Sequence, residues 1–151
     1  MQYTLVCRRR CLLTLPEEMR VLIVEDSRGH ARLIEIALRD CGVTNEIAIA
    51  DGGHAAIAEL FHEDAASHCL RPGPALVMLD LNMPGMSGYD VLNQIRSAND
   101  CTRVIVIVVT SSADPSEEAR CLERGANAFL HKPPEPDLLQ QVFERLELVG
   151  E

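Results

Sequence analysis

In four places the chain sets a carboxylate, a hydroxyl or an ammonium directly after a run of apolar residues. Val21-Leu22-Ile23-Val24 leads into Glu25-Asp26, Ala75 to Leu79 into Asp80, Val104 to Val109 into Thr110, and Ala128-Phe129-Leu130 into His131-Lys132. If these runs are strands of one sheet pointing the same way, three carboxylates meet at one end, where in a partly dry site they repel by several kcal/mol. Positive charge must then be present. Hard oxygen donors around a small space fit Mg²⁺ with waters completing its octahedron, and Lys132 adds a second cation. The Thr110 hydroxyl faces the same pocket as a donor. A carboxylate between a divalent metal, an ammonium and a hydroxyl is arranged to hold a phosphoryl group, with Asp80, whose run reads as the central strand, as the nucleophile. The product would be an acyl phosphate.

The elements that must deliver these side chains are legible as changes of period. The continuous, β-branched apolar runs have the character of strands buried on both faces, and Ile47 to Ala50 supplies a fifth. Between them the period becomes helical. Leu33, Ile34, Ala37, Leu38 and Cys41 form a stripe after a Ser27 N-cap, and the second helix is expected from Gly52 to about Glu63. The third shows Val91, Leu92 and Ile95 after Ser87-Gly88. The fourth runs from Ser116 to Arg124 and is closed by Gly125; the fifth carries Leu138, Leu139, Val142, Phe143 and Leu146. Strand then helix, five times, implies an α/β doubly wound parallel sheet in the order 2-1-3-4-5, whose ligands bind at the carboxyl ends of strands 1 and 3. The Asp64 to Pro74 stretch, with Arg71-Pro72-Gly73-Pro74, reads as a surface loop.

Composition narrows the partners. Fourteen Lys and Arg against 23 Asp and Glu give a net charge of −9, so nucleic acid and anionic membrane are repelled. No apolar run approaches the ~20 residues that span a bilayer. Cys7, Cys11, Cys41, Cys69, Cys101 and Cys121 show no CxxC pair and no His cluster, which points to reduced cytoplasmic thiols and not to a zinc or disulfide framework. Residues 1–19 are expected to be an extension, either a disordered arm carrying Arg8-Arg9-Arg10 or an artefact of a start at Met19. Residues 20–148 form the single domain, 149–151 a tail, and no output domain is expected after it.

At the level of whole motifs the chain resembles the receiver domains of two-component response regulators. The resemblance rests on Val21-Leu22-Ile23-Val24-Glu25-Asp26, on Leu79-Asp80-Leu81-Asn82-Met83-Pro84-Gly85-Met86-Ser87-Gly88, on Val109-Thr110-Ser111 and on Lys132-Pro133. It implies that Asp80 is the phosphorylation site and that Glu25, Asp26, Asp80 and the backbone carbonyl of Asn82 form the Mg²⁺ site. It further implies that Lys132 contacts the phosphoryl group, that Thr110 is the switch hydroxyl, and that Phe129 is the switch aromatic. The Lys132-Pro133 bond is cis in many receivers, which is physically cheap before proline. The same likeness implies a sensor histidine kinase or phosphotransfer protein as donor, a downstream effector, and a partner surface on the fourth helix, fifth strand and fifth helix through which a homodimer would also pair. Two features depart from the commonest pattern: Glu25 stands where Asp is also frequent, and the gap from Asp26 to Asp80 is long. With His30-Ala31-Arg32-Leu33-Ile34, the gap looks similar to single-domain regulators serving phytochrome-type kinases.

Other residues and other folds offer blander and rival readings. Met78, Met83 and Met86 read as packing. His30, His54, His62, His68 and His131 share no metal-ligand spacing and read as solvated, with His131 turned from the pocket by strand alternation. Phe129 reads equally as a core aromatic. A phosphatase of the haloacid-dehalogenase type would want a second Asp two residues after the nucleophile, where Asn82 stands, so an enzyme with turnover is not expected. Flavin mononucleotide would be repelled by Glu25-Asp26. A phosphate sink stays open, whereas the intact pocket argues against a receiver that binds partners without being phosphorylated.

Overall fold

The computed structural model describes residues 15–62 and 69–148, so the readings of residues 1–14, 63–68 and 149–151 lie outside it. Five strands, β1 (Arg20–Val24), β2 (Ile47–Ala50), β3 (Ala75–Leu79), β4 (Val104–Thr110) and β5 (Ala128–His131), alternate with five helices, α1 (Arg28–Asp40), α2 (Gly53–Leu60), α3 (Gly88–Ser97), α4 (Pro115–Glu123) and α5 (Pro136–Arg145). All strands run parallel in the order β2-β1-β3-β4-β5. This is the doubly wound α/β architecture expected.

Every residue of β3 is buried, because helices cover both faces. Val77 and Leu79 point into one core with Leu92, Ile95 and Cys121; Leu76 and Met78 point into the other with Ile34, Leu38, Leu139 and Phe143. A strand with two apolar neighbours layers has no polar face to show, which is why its sequence does not alternate.

The helices depart from expectation where local chemistry intervenes. Ser27 caps α1 by accepting from the His30 amide, as anticipated, but Leu33 and Leu138, assigned to buried stripes, are 48 % and 46 % exposed. A 100° step carries each beyond the edge of its buried arc. The fourth helix begins at Pro115, with Asp114 as its N-cap; proline's fixed φ suits the first helical position. The second helix stops at Leu60, three residues earlier than expected, because Phe61 leaves it to bridge Leu70 in an antiparallel contact. The Arg71 guanidinium then donates to the Ala58 and Phe61 carbonyls, closing the helix end. In the described part of the loop Leu70 is buried, so this stretch is anchored at its base and not wholly a surface excursion. At the other end of the sheet Leu15 and Met19 are also buried in the second core, and Asn45 Nδ2 donates to the Pro16 and Met19 carbonyls.

A short 3-10 turn at Cys101–Arg103, not foreseen, precedes β4. It is held by Arg96, whose guanidinium donates to the carbonyls of Cys101, Val104 and Gly125 and to Asn127 Oδ1. Asn127 Oδ1 in turn accepts from the Val106 amide. One side chain thereby ties α3, β4 and the start of β5. Arg96→Ala is expected to lower unfolding free energy by about 2–4 kcal/mol, since carbonyls that lose a charged donor are left partly buried; urea denaturation measures it.

Candidate functional site

Register sets the site. Val24 pairs with Ala50 on one side and Leu79 on the other, and Leu79 with Val108. The ladder continues past the strand ends, with Glu25 donating its amide to Ala50, Asp80 to Val24 and Lys132 to Thr110, at 3.0, 3.0 and 2.8 Å. Backbone hydrogen bonds therefore hold three of the charged residues, Glu25, Asp80 and Lys132, and no flexible loop separates these from the sheet.

Glu25, Asp26 and Asp80 each offer an oxygen within 4.8 Å of the others. Glu25 and Asp80 are buried and Asp26 is exposed. Lys132, the only lysine of the chain, extends between them, its Nζ 2.5 Å from Glu25 Oε2 and 3.3 Å from Asp80 Oδ2. One ammonium against three carboxylates leaves the pocket two charges negative. Glu25 Oε1 accepts from the Ser27 amide at 3.2 Å. Oε2 meets Lys132 off the hydrogen-bonding directions and so has no directed donor. Burial pushes Glu25 above the ordinary carboxylate range, the neighbouring Asp80 charge adds to this, and Lys132 and Ser27 only partly oppose it. An acidic, under-neutralised set of hard oxygen donors containing a buried oxygen without a directed partner fits a divalent cation, and Glu25, Asp26 and Asp80 could hold one.

The pKa shift carries a pH dependence. In metal-free protein the folded state binds the Glu25 proton more tightly than the unfolded chain, so its contribution is full below the ordinary carboxylate range and is lost as pH rises through the raised pKa. The stability of wild type relative to Glu25→Gln is expected to decline over that rise in chelator-treated samples, as followed by urea titration at a series of pH values.

The other expected residues are placed as follows. Asn82 donates its amide to Asp80 Oδ1 at 3.4 Å, which sets it beside the carboxylate. Thr110 is fully buried at the end of β4, its hydroxyl accepting from the Ser112 amide. Phe129 is half-buried, packed against the first core with its ring edge-on to His131 at 5.4 Å. Both thus lie on the same side of β5, and His131 is exposed and turned from Lys132. The Lys132-Pro133 bond is cis.

Two features of the site were not read from the sequence. A Cβ at Gly88 would lie 2.2 Å from the Asp80 carbonyl oxygen and 2.7 Å from Leu81 Cα. Only glycine lets α3 begin against the end of β3, and the Ser87–Asp90 capping box fixes that start. Gly88→Ala, favourable in an ordinary helix, is therefore expected to cost about 3 kcal/mol through backbone displacement, a fall in Tm of roughly 6–12 °C for a chain of this size, read by thermal denaturation. The second is His30. Read as solvated, its Nδ1 instead lies 3.3 Å from Lys132 Nζ and 3.7 Å from Glu25 Oε1. The signal available was its place one helical turn after a capped start that directly follows the acidic pair.

Comparison with known proteins agrees with this geometry. A family model described as the response regulator receiver domain matches residues 21–144. The response regulator Rcp1 of Synechocystis is 33 % identical over 112 residues, covering 74 % of this chain and 75 % of its own. Its solved Mn²⁺-bound form superimposes with a TM-score of 0.67 at 31 % identity, over 89 % of this chain and 98 % of that one. A receiver domain from Rhodospirillum rubrum gives a TM-score of 0.73 at 33 % identity, over 87 % and 95 %. The bacteriophytochrome response regulator AtBRR gives 0.72 at 29 % identity, over 90 % and 97 %. With its strand order, its acidic pocket at the carboxyl ends of β1 and β3 and a family match across nearly the whole sheet, the chain belongs to the receiver domain family of two-component response regulators.

Proposed function

We propose that Asp80 accepts a phosphoryl group in a pocket that holds Mg²⁺ through Glu25, Asp26, Asp80 and the Asn82 carbonyl. The observation that carries this reading is the buried Asp80 carboxylate, set between an acidic pair and the chain's only lysine. An Asp80 oxygen attacks phosphorus, the bond to the donor breaks, and the departing group keeps the electron pair. The metal supplies neutralisation of the phosphoryl oxygens. Lys132 would bind one of those oxygens, and Thr110, at the end of β4, would turn its hydroxyl towards another. Phe129 moves inward as Thr110 does, and the α4, β5 and α5 surface changes with them.

Asp80 is favoured over its neighbours as nucleophile because it ends the central strand β3 beside Lys132, whereas Asp26 is exposed to water. The protein catalyses its own modification and its slow reversal and is not a turnover enzyme. The donor is a sensor histidine kinase or phosphotransfer protein, of the phytochrome type by likeness to the bacteriophytochrome response regulator AtBRR. A cytoplasmic setting suits such a donor; among the described residues no helix is long and apolar enough to cross a membrane. Acetyl phosphate tests the reading: intact mass is expected to gain one phosphoryl group with Mg²⁺ and none in chelator, and a metal-independent gain would contradict it.

A further inference from the structure

A lysine ammonium has three N–H donors on a flexible stem and holds one direction only while its acceptors hold it. Among the described residues, two carboxylate oxygens, Glu25 Oε2 and Asp80 Oδ2, are ion-paired with Lys132 Nζ, and one ring nitrogen, His30 Nδ1, lies within hydrogen-bonding distance of it. Two of these are the carboxylates that also compose the acidic group suited to a cation. When those oxygens are engaged by a metal and by a phosphoryl group, Lys132 loses both as partners. The imidazole is the acceptor that does not belong to that group. An ammonium can only donate, so a hydrogen bond across this 3.3 Å contact uses the tautomer whose Nδ1 carries the lone pair.

The ring is held from the same loop that carries Glu25. Ser27 donates its amide to Glu25 Oε1, and its hydroxyl accepts from the His30 amide at 3.3 Å. The imidazole is 51 % exposed and the Lys132 side chain 9 %, so His30 stands on the solvent side of the lysine.

We infer that His30 is a positioning residue: its Nδ1 keeps Lys132 aimed at the phosphoryl group on Asp80 once the carboxylates are engaged elsewhere. The inference rests on the reading of Asp80 as phosphoacceptor. With a single lysine in the chain, ¹⁵N-lysine labelling gives one side-chain ammonium signal. Its protection from water exchange would be compared with Mg²⁺ alone and with Mg²⁺ plus beryllofluoride, in wild type, His30→Leu and His30→Asn, whose Oδ1 replaces Nδ1 as acceptor. Wild type and His30→Asn are expected to keep a protected signal, and His30→Leu to lose it. His30→Leu is also expected to be phosphorylated by acetyl phosphate roughly tenfold more slowly at saturating Mg²⁺, as misplacement of a catalytic group predicts, with its Mg²⁺ affinity unchanged. A His30→Leu protein whose ammonium stays as protected as in wild type overturns the inference whatever its rate, as does failure of His30→Asn to restore protection. Wild type that takes up no phosphoryl group, while the three ammonium signals differ as expected, sinks the function proposed above and with it the aim at a phosphoryl group, and leaves only the hold of His30 on Lys132.

Discussion

Asp80→Asn is expected to abolish phosphoryl uptake and, in metal-free buffer, to make the protein more stable. The second half of that statement separates a functional carboxylate from a structural one. Asp80 has one attraction, to Lys132 at 3.3 Å, and two repulsions, from Glu25 and Asp26 oxygens within 4.8 Å. At an effective dielectric of about 20 the attraction is worth about 5 kcal/mol and the repulsion from buried Glu25 at least about 3.5 kcal/mol; the weaker, water-screened repulsion from Asp26 and the cost of burying the Asp80 charge tip the balance against the carboxylate. Asparagine keeps the oxygen that accepts from the Asn82 amide and removes the charge. A gain of about 1 kcal/mol is expected on these grounds, read as a higher urea midpoint at unchanged slope. Residues kept at a cost to stability mark sites selected for function. A destabilised Asp80→Asn protein would mean the carboxylate is there to hold the fold.

Lys132→Met should fail in the opposite sense. It removes the lysine cation from a group of three carboxylates of which two are buried, and breaking a buried ion pair in this way costs about 3–5 kcal/mol. Added Mg²⁺ is expected to recover much of that loss, so the variant's Tm should rise with metal far more than that of wild type. Its phosphorylation rate by acetyl phosphate at saturating Mg²⁺ should fall roughly 10²–10³-fold, the usual effect of deleting one fixed group that meets developing charge. Stability loss without rescue by metal would place Lys132 in packing alone.

How much of this was legible follows from which interactions are local in sequence. Strands β1, β3 and β4 were readable because burial on both faces removes every polar residue, and the ends of those runs gave Glu25, Asp80 and Thr110 directly. Ser27 and Ser87 were readable as helix starts because a cap acts on its own next turn. The same logic failed for Leu33 and Leu138, since apolar type alone does not say where a buried arc ends. Arg96 and Arg71 were silent: an arginine that closes chain ends with its guanidinium looks in sequence like any solvated cation. Gly88 passed as part of a motif, while its physical reason, contact with the Asp80 carbonyl, needs the backbone path. Metal-ligand spacing carries no signal for His30, because its partner is a lysine more than a hundred residues away.

The central claim is that phosphorus becomes bonded to one particular oxygen-bearing side chain. Treating the protein with acetyl phosphate and Mg²⁺, reducing with borohydride and sequencing the peptides by mass spectrometry tests it most directly, because reduction of an aspartyl phosphate leaves homoserine in its place. Homoserine at position 80, absent without Mg²⁺ and absent in Asp80→Asn, is the predicted result. Homoserine at another position, or reduction products nowhere in a protein that has gained phosphoryl mass, would contradict the account.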